Sequence, residues 1–290
     1  MRNSHRTFDE VTQALRIRKP ILHMYHATVN RGWFRYREAL RKFYAPLLED
    51  ARLIFDIGAN RGFFASVFAS FGARVVAIEP NPDCVRHIEL SYPEIEVIQA
   101  VAGDKSGLAN LHLSDECDVM SSLSEEWIAT IRAHNRGCDV WKRTLVVPMV
   151  RLDSLIEHYG VPDYVKIDVE GFEENVLDGL SVCPNLLSFE YNLALLDAAF
   201  RCLDKPIFDG ARFNFKDDHS DGFFFPQWTD AANVKSELSK FDPAHMTGNI
   251  FVAASVRLTP AGGVKETNSN APCRVVTLPR LAACIIDFAT

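Results

Sequence analysis

From residue 53 the chain alternates short apolar runs with stretches of helical periodicity, and that alternation restricts it to one broad class of fold. Leu53-Ile54-Phe55-Asp56-Ile57 is apolar and closes on turn residues, so it reads as a buried strand. Residues 61–71 place Phe64, Val67, Phe68 and Phe71 on one helical face, with Gly72 as the stop. Arg74 to Ile78 reads as a second strand, Pro82 to Ser91 as a second helix and Ile95 to Val101 as a third strand. Tyr164 to Val169 and Leu186 to Tyr191 follow as strands, with a helix from Phe172 to Leu180 between them. Ala211 to Lys216 and Asn249 to Ser255 complete the strands, with a helix near 230–241. Strands this apolar need cover on both sides. The expected fold is α/β, with a seven-stranded, mostly parallel sheet and helices on both faces.

This core occupies residues 51–256, flanked by an N-terminal helical segment, 1–50, and a C-terminal tail, 257–290, expected to be dispensable for folding. Trp33 to Leu48 is basic and amphipathic, with Phe34, Leu40 and Phe43 at roughly helical spacing. Packing on the main domain competes there with a membrane-surface or partner role. The polar stretch 104–160, between the third and fourth strands, reads as an insertion that walls or lids a substrate site. The net charge of -7 gives no broad attraction for phosphate backbones, which disfavours nucleic acid as a partner. Seven scattered cysteines lack zinc spacing and leave one thiol over from any disulfide framework. The polar N-terminus is no signal peptide, and no apolar run is long enough to span a bilayer. A cytoplasmic location is expected.

The strongest local signal is Asp56-Ile57-Gly58-Ala59-Asn60-Arg61-Gly62, directly after a strand and before a helix. Such a turn lets a ligand approach the backbone and meet unpaired helix N–H groups. The dinucleotide fingerprint wants a glycine where Asn60 stands. A pyrophosphate also disfavours a carboxylate beside it, whereas a sulfonium or amino-acid cation favours one, so Asp56 turns the reading toward S-adenosylmethionine. Glu79, ending the second strand with Asn81 just beyond, stands where a carboxylate can accept from both ribose hydroxyls. Asp104, after the third strand, is either an adenine contact or a turn former. On the fourth strand Lys166, Asp168 and Glu170 share a face, and Glu190 ends the fifth. Five carboxylates therefore crowd the carboxyl ends of four strands, the edge at which open α/β sheets bind ligands.

At these residues the sequence resembles the FkbM family of methyltransferases. The resemblance rests on D-I-G-A-N-x-G at 56–62, E-P-N-P at 79–82, A-G-D-x-x-G at 102–107, L-D-S-L-I at 152–156 and K-I-D-V-E-G-F-E at 166–173. It implies a class I, Rossmann-like methyltransferase fold and methyl transfer from S-adenosylmethionine, usually to a hydroxyl of a sugar or other small metabolite. Asp56, Gly58, Asn60, Gly62, Glu79, Asn81 and Asp104 would then be cofactor contacts. Asp168 and Glu170 would lie at the reaction edge, Asp168 the leading candidate for proton acceptor, with Lys166 as counter-charge and Glu190 beside them.

The sulfonium is already a strong methyl donor, so the protein must supply alignment and, for a hydroxyl acceptor, removal of a proton. A crowded acidic site can raise one carboxyl toward neutrality, or hold a divalent metal against the acceptor oxygens. His112, His134, His158 and His219 are further candidates for a base, none in a recognisable setting. Two rival readings stay open, a nicotinamide oxidoreductase on the same fold and a non-catalytic binding module.

Overall fold

A computed structural model describes residues 31–114, 121–134, 141–218, 220–242 and 247–254. The strands of its main sheet are β1 (Leu53–Ile57), β2 (Arg74–Ile78), β3 (Glu96–Ile98), β7 (Tyr164–Ile167), β8 (Leu186–Asn192), β9 (Arg212–Asp217) and β10 (Thr247–Ala253). They lie in the order β3-β2-β1-β7-β8-β10-β9. All neighbours in the first five are parallel, and β10 runs antiparallel to both β8 and β9. This is the seven-stranded, mostly parallel sheet that the apolar runs imply. Strand order reverses direction at β1, whose neighbours are β2 on one side and β7 on the other, so a crevice opens there at the carboxyl ends.

The helices divide between the two faces. On one lie α1 (Arg31–Leu48), α2 (Phe63–Ala69) and α3 (Pro82–Ser91), whose Leu40, Tyr44, Leu48, Phe68 and Ile88 pack with Ile54, Val75, Tyr164 and Phe251 of the sheet. On the other lie α5 (Leu152–Tyr159), α6 (Glu173–Asp178), α7 (Leu196–Leu203) and α8 (Ala231–Leu238), over Phe55, Val165, Phe189 and Ile250. Of the two roles open to the basic amphipathic segment, α1 shows the packing one. No helix among the described residues is long and apolar enough to cross a membrane.

The third strand ends earlier than its apolar run. The amide of Ala100 turns back to the carbonyl of Ile98 (3.0 Å), which breaks the ladder after Ile98. Val101–Ala102, β4, instead joins a second sheet with β5 (Gly107–Ser114) and β6 (Trp141–Val150), in the order β4-β6-β5. With α4 (Glu125–His134), that sheet makes up most of the stretch read as an insertion, whereas its last part, α5, seats Leu152 and Leu155 in the main core. The tail 257–290 lies outside the described residues.

Candidate active site

The turn after β1 is built to bring the chain close to β7. Gly58 has φ +78°, and a Cβ there would fall 1.7 Å from the Asp168 carbonyl oxygen, so no other residue fits. Asn60 follows at φ 49°, a left-handed conformation that Asn tolerates better than most side chains. The Glu79 carboxylate ties this turn to the next one, accepting from the Asn60 amide through Oε2 (2.7 Å) and from the Asn81 amide through Oε1 (2.8 Å). Gly58, Asn60, Glu79, Pro80, Ala102, Asp168 and Glu170 together line one cavity at the switch point, closed by Leu111, Ser121 and Leu123 from the second sheet and its flank.

Other residues nominated from the sequence stand off its wall. Asp56 is fully buried beneath it, opposite Lys166 in the β1–β7 register. Burial pushes its carboxyl up to about 6, Asp168 adds to the rise, and Lys166 opposes it. Gly62 begins α2 and faces Ile88 and Tyr92, so its missing side chain makes room for α3. Asn81 caps α3 by accepting from the Asp83 amide. Asp104 is exposed in the turn before β5.

The acids after β7 and on β8 converge. Asp168, Glu170 and Glu190 each present a carboxylate oxygen within 4.8 Å of the others. Burial and the surrounding negative charge, Asp168 foremost, push both Glu170 and Glu190 well above the usual carboxylate range. Asp168 differs, because its Oδ2 accepts from the Lys166 ammonium at 2.7 Å. Lys166 is almost wholly buried, with its ammonium 4.4 Å from the centre of the Phe64 ring. Burial alone would lower it, but the charges of Asp168 and Asp56 outweigh that and hold it protonated.

The turn carrying Glu170 is held from two sides. Glu170 itself has φ 54°, unusual for a Glu. Oε1 of Glu173 accepts from the Val169 (3.1 Å) and Gly171 (3.3 Å) amides, and Ser122 Oγ donates to the Glu170 carbonyl at 2.6 Å. Gly171, at φ +87°, lies so close to Trp127 that a Cβ would approach the Trp127 Cβ to 2.6 Å.

The matching family model is the methyltransferase FkbM domain, over residues 56–210. The chain belongs to the FkbM methyltransferase family. It is also 31% identical, over 87 residues, to a probable S-adenosylmethionine-dependent methyltransferase of Mycobacterium tuberculosis, found in two strains. That match spans 30% of this chain and 29% of the relative. Among solved structures, a precorrin-6y C5,15-methyltransferase from Geobacter metallireducens aligns with a TM-score of 0.37 and 12% identity, over 76% of this chain and 86% of its own. An S-adenosylmethionine-dependent methyltransferase from Archaeoglobus fulgidus aligns with a TM-score of 0.35 and 12% identity, over 76% and 94%.

Among the described side chains of this FkbM domain, His112 and His158 do not line the cavity. His112 pairs with Glu125 at 2.9 Å, and His158 packs edge-on against Tyr159. The side chain of His134, and His219 as a whole, lie outside the described residues. Two supporting residues escaped the sequence reading. Glu173 was visible as the last acid of K-I-D-V-E-G-F-E, three residues past Glu170, but its inward aim depends on the left-handed turn. Ser122 sits in a polar stretch with no periodicity to mark it.

Proposed function

We propose that this chain transfers the methyl group of S-adenosylmethionine to a hydroxyl oxygen of a small metabolite or sugar. The observation that carries this reading is the meeting of two groups at one cavity: the Gly58–Asn60–Glu79 cradle and the acids Asp168 and Glu170. The cradle suits the cofactor, because the Glu79 carboxylate, anchored by the Asn60 and Asn81 amides, is an acceptor-only group of the kind that ribose hydroxyls donate to. Gly58 leaves the backbone open to the cofactor's approach.

In the reaction the acceptor oxygen forms its bond to the methyl carbon as the carbon–sulfur bond breaks, and the bonding pair stays on sulfur. The hydroxyl proton passes to a carboxylate. Asp168 is already engaged by the Lys166 ammonium. The role moves to Glu170, which lines the cavity and whose affinity for a proton is raised by burial and by neighbouring acids. Asp168 then fixes the geometry of the turn's entrance, and Glu190 holds the third corner.

A second reading rests on the spacing of those acids. Three all-oxygen donors within 4.8 Å suit Mg²⁺ or Mn²⁺, which would bind and polarise the acceptor oxygen.

Calorimetry with S-adenosylmethionine tests the cofactor assignment. Glu79→Ala removes two backbone ties as well as the ribose acceptor, and should weaken binding roughly 30- to 1,000-fold. A folded variant with unchanged affinity would take Glu79, and with it the cradle, out of the site.

A further inference from the structure

We propose that the groove between α1 and β9 is the methyl-acceptor subsite, and that it takes an uncharged, polyhydroxylated ring molecule such as a pyranoside. The inference rests on the methyltransferase reading above and says where its acceptor lies. The groove, of about 390 Å³, is lined by Tyr36, Leu40 and Phe43 of α1 and by Lys216, Asp218 and Asp221 at the end of β9.

Sheet register joins this groove to the acid cluster. Glu190 of β8 is paired with Asn249 of β10, and Asn249 with Lys216 of β9. Partners in register project to the same face at intervals of about 5 Å, so the three side chains form a row from the cluster to the groove. The face is the one that α1 covers: Phe251, two residues beyond Asn249, packs with Tyr44, and the Lys216 ammonium lies 5.6 Å from the Phe43 ring centre. In mid-row, Asn249 Oδ1 is enclosed without a hydrogen-bond partner, so that amide still has a bond to make. A second path of contacts runs through rings. Tyr36 stacks on Phe63 at 5.6 Å and 4°, Phe63 meets Phe64, and Phe64 meets Lys166, the partner of Asp168. Electrostatics agree with that proximity, since burial raises the Tyr36 hydroxyl, helped by Asp218 and then Asp168, while Lys166 opposes.

The lining defines the ligand's chemistry. Tyr36 is 42% exposed and held flat by Phe63, which offers an aromatic face to the C–H side of a ring. Asp218 and Asp221 at the rim accept from hydroxyls. Lys216 is occupied with the Asp217 carbonyl at 2.8 Å. With Asp218 and Asp221 at the rim, an acceptor bearing a carboxylate or phosphate would be repelled.

Saturation-transfer NMR on the protein loaded with S-adenosylhomocysteine tests this, with methyl α-D-glucopyranoside, methyl α-L-rhamnopyranoside and D-glucuronate as probes. At least one pyranoside should receive saturation and glucuronate none. Tyr36→Ala should cut the pyranoside signal about fivefold or more, and Tyr36→Phe should keep it. The double variant Asp218→Asn, Asp221→Asn should admit glucuronate. Calorimetry should find the S-adenosylhomocysteine affinity of all three variants within about twofold of wild type. A pyranoside signal indifferent to Tyr36→Ala, or no pyranoside signal from a loaded wild-type protein, overturns the acceptor subsite alone. Failure of wild type to bind S-adenosylhomocysteine overturns the methyltransferase reading beneath it.

Discussion

Lys166 lies 2.7 Å from Asp168 and is 1% exposed, and that contact divides the labour among the acids. Breaking a buried ion pair leaves the other charge stranded, at a cost of about 3–5 kcal/mol. Asp168→Asn should therefore lower the melting temperature as well as turnover. Glu170→Gln leaves the pair intact, so it should lower kcat by roughly two to four orders of magnitude with little loss of stability. Turnover in wild type should rise with pH through the raised range of the Glu170–Glu190 pair, because the base must be ionised; the apparent value belongs to the pair rather than to either residue. Steady-state kinetics of the two variants across pH, with and without a chelator, separates the readings. Activity lost to the chelator and restored by Mg²⁺ or Mn²⁺ selects the metal. A Glu170→Gln enzyme with near-normal kcat, insensitive to chelator, would remove both roles from this residue.

At the scale of elements, α6 does more than cover the sheet. Its first residue, Glu173, reaches back to the amides of the turn that carries Glu170. Burial pushes the Glu173 carboxyl up to about 7 from an ordinary 4.5, against the pull of the Val169 and Gly171 amides. An acid raised in the folded state stabilises fully below its unfolded value, and that contribution is lost as pH climbs toward the folded one. Between pH 4.5 and 7 wild type should thus lose on the order of 3 kcal/mol that Glu173→Gln does not lose. Melting curves of the two proteins should converge or cross as pH rises; a constant difference would show that Glu173 is not the titrating group. Elements of this kind were legible in the sequence wherever burial dictates composition. β1, β2, β3 and β7 fall within their apolar runs, because a strand covered on both faces favours apolar residues, whereas β8 runs one residue past its run and β9 and β10 are offset from theirs by one and two residues. What escaped was set by three-dimensional closure. The end of β3 depends on the turn at Ala100, and the placing of Asp56 under the cavity depends on its register with Lys166. The row Glu190–Asn249–Lys216 needs strands distant in sequence to pair.

For the molecule as a whole, α1 is the element whose importance the sequence understates. Read as a flanking segment, it supplies both part of the core and one wall of the groove. Tyr44 is 2% exposed, with its ring 5.1 Å from Phe68, 5.9 Å from Tyr164 and 6.2 Å from Phe251, so it closes an aromatic stack over the centre of the sheet. Its hydroxyl also meets that of Tyr164, which in turn bonds Ser188 at 2.6 Å. Tyr44→Ala would open a large cavity beside Phe68, Tyr164 and Phe251, at a cost of about 3–5 kcal/mol. In a chain of this size that lowers the melting temperature by on the order of 10 °C. Arg35→Ala, on the exposed side of the same helix, should move it by no more than about 2 °C. Starting the chain at residue 49 removes Leu40, Tyr44 and Leu48 together and should leave an insoluble product, since it bares the part of the sheet face, around Tyr164 and Phe251, that they pack on. A soluble truncated protein melting within a few degrees of wild type would show that α1 docks without completing the core. The acceptor groove would then be a separable surface instead of a part of the fold.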